Sequence, residues 1–355
     1  MKKAANLLVA FLILILFNSA ATGQTNYKFY GFVKLDVSYD FSKMSTGNYA
    51  RWVEKSGGEQ LNITARQSRF GLNFTGPEKN GIKTSGKIEV DFYGGGAENK
   101  NLLMLRKCYM KINFKNGVSI LAGQASDVIS PLVPSTVNYI VNWWAGNVGY
   151  RRPQVRFSMV SKLGKNTKLF LDAAAVRSIG GENTGEPCIQ GRAALSFPLL
   201  NKRNTCVGIS AHTGKEENSA KTWSYNFDML IGLSKSLTLK GEYFNGENLD
   251  AYLGGIGQGV NLAGTGITSR GGWASLSINP GTCVSFNCGV SVDDPDDNVL
   301  DDGSRSENLC IFGNMFVNIT DAAKIGFEIS NWKTEYKNSD NKSSMRIQCA
   351  FIHGL

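Results

Sequence analysis

The chain has 355 residues, with 38 Lys and Arg against 29 Asp and Glu, 42% hydrophobic residues, and 40 glycines beside 8 prolines. A mean hydropathy of −0.17 rules out a polytopic helical membrane protein, and the glycine content points away from helices. Seven scattered cysteines without a Cys-x-x-Cys spacing, and only His212 and His353, argue against a disulfide scaffold and a His-based metal centre.

In chain order, Lys2 and Lys3 precede an uncharged apolar run, 7–17, and the small-residue site Ala21-Thr22-Gly23. This pattern reads as a cleaved signal peptide over 1–23, too short for a spanning helix, which needs about 20 apolar residues. From residue 24 to 355 there is no linker and no change of texture, so the exported part is expected to be one domain. Its first stretch alternates. Tyr27, Phe29, Val33, Leu35, Val37 and Tyr39 share one parity, and Lys28, Lys34, Asp36, Ser38 and Asp40 the other. Successive strand side chains point to opposite faces, so this is a strand with one apolar and one polar face.

The pattern recurs near 27–41, 66–75, 82–93, 104–114, 118–126, 154–163, 167–176, 188–198, 205–214, 222–233, 237–245, 271–279, 283–293, 307–319, 323–336 and 343–354. Each run is about long enough to cross a bilayer as a tilted strand. Short polar turns alternate with longer loops, chiefly 42–65, 127–153 and 246–270. That asymmetry predicts an all-β fold: a sixteen-stranded antiparallel transmembrane barrel with short turns on one side and long loops on the other. The charges keep to the polar parity except Arg66 and Arg106, both near strand ends, where a long side chain can snorkel. Aromatic residues at strand ends, including Tyr27, Phe29, Tyr243, Trp273, Trp332 and Phe351, are expected to form interfacial girdles.

Gly31-Phe32-Val33-Lys34-Leu35-Asp36, followed by Ser68-Arg69-Phe70-Gly71, resembles the opening of the DcaP-like outer-membrane porins. Ala122-Gly123-Gln124 before the third long loop, the run from Gly241 to Leu249, and Asp293-Asp294-Pro295 leading to Gly303-Ser304-Arg305 extend the likeness over most of the chain. The resemblance implies a trimeric sixteen-stranded porin in the outer membrane that passes small anionic solutes, dicarboxylates among them. The chain differs from the family in ending on Leu355 rather than an aromatic residue, which leaves the alternation Phe351, His353, Leu355 to carry the assembly signal.

The third loop, 127–153, has no charge between Asp127 and Arg151 and is rich in Val, Ile, Leu and Trp. Two readings stand: a loop folded into the barrel as a constriction, or a cap or subunit latch. Cations outnumber anions on the polar parity, and rings of Arg and Lys build anion pores. The candidate pore-lining residues are Arg69, Lys87, Lys107, Lys111, Arg151, Arg152, Arg156, Arg192 and Arg346. Strand 118–126 does not alternate cleanly, as expected if protein covers both faces, one of them in a homotrimer.

Competing chemistries are weak. Ser210 and His212, with Asn226 placed opposite Ser210 by the hairpin, raise a lipid hydrolase, and a non-conducting adhesin is the other alternative. Neither displaces the porin reading, so no catalytic residue is assigned. The acidic stretch 293–302 can attract a divalent cation but lacks a calcium-loop pattern, and Gly255, Gly257 and Gly259 lack a strand–helix setting. No metal, cofactor or nucleic-acid partner is expected; the expected partners are outer-membrane lipid, two further copies and small anions.

Overall fold

The computed structural model describes residues 25–179, 184–200, 203–216 and 220–355; the expected leader, 1–23, lies outside them. The strands are β1 Asn26–Asp40, β2 Gln60–Thr64, β3 Arg69–Lys79, β4 Ile82–Asp91, β5 Met104–Asn113, β6 Val118–Ser126, β7 Arg151–Lys162, β8 Lys168–Val176 and β9 Cys188–Pro198. They continue with β10 Asn204–Lys215, β11 Lys221–Gly232, β12 Leu237–Glu247, β13 Thr268–Ile278, β14 Val284–Pro295, β15 Arg305–Asn318, β16 Ala323–Tyr336 and β17 Lys342–Gly354. From β3 onward neighbours in sequence pair antiparallel, and β1 closes the sheet on β17 from Phe32↔Gly354 to Asp40↔Arg346.

Seventeen strands make sixteen staves. The outer end of β1 pairs with β2 (Asp40↔Gln60), and its other end pairs with β3 (Asn26↔Thr75), so β2 and β3 share one position in the wall. A turn separates them, in which the Ser68 amide donates to Ala65 O at 3.0 Å. The barrel therefore has the expected stave count, but its first long loop is 41–59, because residues 60–64 are sheet rather than loop.

Burial is inverted relative to a water-soluble sheet. On β17, Ser344, Arg346 and Gln348 are buried while Met345, Ile347 and Phe351 are exposed. The same order holds around the wall, with Phe29 60% and Ile209 64% exposed. So large a continuous apolar belt is stable only against lipid. Closure of β1 on β17 leaves the sheet without a free end stave, as hydrocarbon demands.

Three expectations are corrected. Arg106 does not snorkel outward: the register slips between Glu89 and Val90, so Arg106 is the extra residue of a bulge and turns inward beside Lys107. Trp273 and Trp332 are not girdle residues. They share the parity of the inward polar residues and are buried inside, Trp332 at 0% exposure.

The outer half of the lumen is filled by loops. Residues 128–144 reach side chains on widely separated staves. The Val128 amide donates to Gln190 (2.8 Å), Leu132 to Glu242 (2.7 Å), Val137 and Asn138 to Glu328 (2.7 and 3.2 Å), and Lys34 donates to Val137 O (2.9 Å). A segment touching opposite walls lies between them, so the third loop crosses the barrel interior. Gly146, at φ +106°, lets its backbone pass against Gly272 O, where a Cβ would stand 2.3 Å away. Val141 is held at φ 48°, a conformation β-branched residues rarely adopt unless their surroundings dictate it.

Two more loops join it. Met44, Ala50 and Val53 pack with Ala145 on Cys310, Phe312 and Trp332. From the loop between β12 and β13, Leu253 O and Tyr252 O accept the Trp144 and Gly149 amides at 2.7 Å each.

Candidate functional site

The candidate site is the lumen surface left by these loops. Its two walls differ. On the inner face of β10–β17 the carboxylates are consumed. Asp228 accepts Arg192 Nε and Nη2, each at 2.8 Å, and Glu242 accepts Trp273 Nε1 and the Leu132 amide. Asp293 accepts Ser269 Oγ and the Ile256 amide, while Glu328 accepts two loop amides and Asn314. Across the seam with β1, Asp40 takes Arg346, and Asp36 takes Lys34 and Gln348.

On β3–β8 the acids are spent as well. Glu89 accepts Tyr30 Oη at 2.8 Å and Arg106 Nε at 3.0 Å; Asp91 accepts Arg106 Nη1 and Tyr139 Oη; Asp172 accepts Ser158 Oγ. The cations of this wall are mostly left over. Among the described residues, Lys87, Lys107, Lys111, Arg151 and Arg156 have no carboxylate within 4.0 Å, and all but Arg151 remain partly open. Lys87 Nζ sits 4.7 Å above the Tyr30 ring, and Arg156 binds Gln154 Oε1 at 2.9 Å and Ser126 O. Lys111 and Arg156 flank the same residue, Leu121, on adjacent strands.

The other expected lining residues are placed differently. Arg69 lies 3.9 Å from Glu89 and over Phe32. Arg152, 1% exposed, is sealed by Asp127 (2.9 Å), Glu216 (3.4 Å) and the Tyr252 ring (3.9 Å). Arg346, equally buried, donates from Nη1 to both oxygens of Asp40 and from Nη2 to Ser38 Oγ. Both face inward and touch no open water surface. Arg192 is satisfied by Asp228.

Sequence reasoning missed Arg106 and the phenols around it. Adjacent Arg106 and Lys107 could have revealed the bulge, since two neighbouring charges cannot both face the lumen of a regular strand. Tyr139 bridges Arg106 and Asp91, and burial pushes its phenol up to about 12, so it remains a neutral donor and acceptor. Tyr93, stacked on Tyr139 at 4.0 Å, is likewise pushed up by burial.

The alternative chemistries do not assemble. Asn226 stands opposite Ser210, as the hairpin implies, but His212 bonds Ser224 (2.7 Å) and Thr222 (2.9 Å), stacks on Tyr252 and is buried. The acidic stretch disperses: Asp293 points inward, Asp294 pairs with Arg270, Asp301 accepts the Leu262 amide and Asp302 accepts Asn338. Among the described residues no three metal-ligand side chains converge.

A closed sixteen-stave barrel with a lipid-facing apolar belt and a charged lumen crossed by a loop defines an outer-membrane porin. A family model described as DcaP outer membrane protein matches residues 18–186. Over that stretch the chain resembles the DcaP outer membrane proteins, and its barrel is that of an outer-membrane porin. It superimposes on the outer membrane channel DcaP of Acinetobacter baumannii with a TM-score of 0.78 at 18% identity, covering 93% of this chain and 97% of that one. An anion-selective porin from Comamonas acidovorans gives 0.66 at 13% identity, over 94% and 100%. The trimer form of Vibrio cholerae OmpT gives 0.62 at 10%, over 93% and 99%. No curated protein matches the chain.

Proposed function

We propose that this porin passes small hydrophilic anions, dicarboxylates included, in preference to cations, along the β3–β8 side of its lumen. The observation that carries the reading is the charge imbalance of that wall: among the described residues Lys87, Lys107, Lys111 and Arg156 have no carboxylate within 4.0 Å, while the inward Asp and Glu are each neutralised or hydrogen-bonded. A basic groove with low-dielectric walls focuses its field and concentrates counter-ions. The third loop narrows the lumen, so a permeating solute passes close to these cations. A homotrimer fits the reading, with β6 and its neighbours as the shared face, and the trimeric OmpT relative supports it.

Reversal potential in a salt gradient across a planar bilayer tests the selectivity. An anion-selective sign is expected, and replacing Lys87, Lys107, Lys111 and Arg156 together by Gln should carry it towards zero. A cation-selective sign in the unmodified protein, or no response to the fourfold change, overturns the proposal.

A further inference from the structure

Where the third loop meets the outer ends of β4, β5 and β7, a cleft of about 120 Å³ is lined by Tyr49, Tyr93, Tyr139, Trp143, Tyr150 and Arg151. Arg151 is 7% exposed, yet among the described residues no carboxylate lies within 4.0 Å of it and its guanidinium makes no hydrogen bond in the structure. It is held only against ring faces, 4.5 Å over Tyr150 and 5.7 Å over Trp143. Ring faces offset part of the cost of burying a guanidinium, and its nitrogens, which no side chain takes up, are available to an anion. The local acids cannot supply it, because Glu89 and Asp91 are already taken by Arg106.

The phenols are unequal too. Tyr139 Oη has both its partners. Tyr93 Oη is buried with none, and Tyr150 Oη reaches only the sulfur of Met104, at 3.8 Å. Thioether sulfur is a weak acceptor, so two hydroxyls stand ready for better partners beside one free guanidinium.

We propose that this cleft binds a hydroxylated carboxylate of single-ring size, a monosaccharide acid of the hexuronate type. Its carboxylate engages Arg151 through paired N–H groups, its hydroxyls complete Tyr93 and Tyr150, and its C–H faces pack on the aromatic walls. A neutral sugar leaves Arg151 unmatched. An unhydroxylated acid leaves the two phenols unmatched, and sites built to bond a hydroxyl reject ligands lacking it by large factors. The inference rests on the anion-pore reading only in so far as the ligand reaches the cleft through the lumen.

The test is glucuronate against glucose and benzoate, on the full-length detergent-extracted protein. Glucuronate should quench tryptophan fluorescence, and should interrupt single-channel current, at concentrations at least about tenfold lower than either comparator. Arg151→Gln should abolish both effects. Tyr93→Phe, which leaves the loop packing and heat-modifiable mobility intact, should weaken them severalfold. Equal action of glucose or benzoate, or glucuronate binding that survives both substitutions, overturns the site. The fluorescence readout is independent of ion flow, so loss of anion selectivity with retained glucuronate binding sinks the pore reading alone, and the reverse sinks the cleft alone.

Discussion

The lumen has two walls built from the same alternating pattern and put to different uses. On β10–β17 nearly every inward group is buried under loops and matched: Arg192 with Asp228, Glu328 with two loop amides, Trp332 with Met44 and Val53. On β4–β7, Arg106 and Arg152 are matched as well, but Lys87, Lys107, Lys111 and Arg156 remain partly open with no carboxylate within 4.0 Å among the described residues. The difference is not one of residue types, since both walls hold Arg, Lys, Asp and Glu. It lies in where the loops land, because a charge covered by protein must find a partner and a charge facing water need not. One wall anchors the infolded loops and the other keeps more of its charges open to the lumen.

The comparison breaks most visibly at the buried pairs. Arg346→Ala leaves Asp40 buried without its cationic partner, and should cost about 3–5 kcal/mol of barrel stability. Denaturant titration of the detergent-solubilised protein measures this, and reversal potential should stay unchanged, since Arg346 touches no open water.

Glu328→Ala strips the acceptor from the Val137 and Asn138 amides on the same wall. Leaving them unsatisfied costs about 1–3 kcal/mol each. The third loop should loosen, with faster amide exchange at 135–140 and a larger, noisier single-channel conductance. Unaltered conductance would show that the loop needs no anchor on that wall.

On the open wall single substitutions should act on selectivity and barely on stability. Each of Lys87→Gln, Lys107→Gln, Lys111→Gln and Arg156→Gln removes one charge acting across water, worth about 0.5 kcal/mol, or roughly a twofold fall in anion preference. Lys333→Gln, on the outer face, should leave reversal potential untouched.

The smallest effect concerns the lid formed by the loop between β12 and β13. Burial is the main cause that raises Asp250 and Glu216, and the proximity of Asp250 raises Glu216 further, against the lowering influence of Arg152. A carboxyl raised by folding contributes stability that is complete below its ordinary value and is lost as pH rises through the folded value. That loop should therefore be slightly better protected from exchange at pH 4 than at pH 7. Asp250→Asn should flatten that dependence.

The sequence by itself determined the barrel. Alternation assigns each residue to lipid or lumen through the two-residue period of a strand, and the rhythm of short turns and long loops sets the stave count. Even the stave that is broken into β2 and β3 keeps its place. The alternation failed where one residue is added: the bulge at Arg106 reverses parity locally, and a pattern of period two cannot register a single insertion. The candidate site was legible only as a set of cations. Nothing in the order of residues says that Arg152 and Arg346 are sealed while Lys107 and Lys111 are open. That division is made by where loops 41–59, 127–150 and 248–267 fold within the lumen. It depends on contacts between residues more than a hundred positions apart, such as Val137 with Glu328, and no local periodicity encodes such contacts.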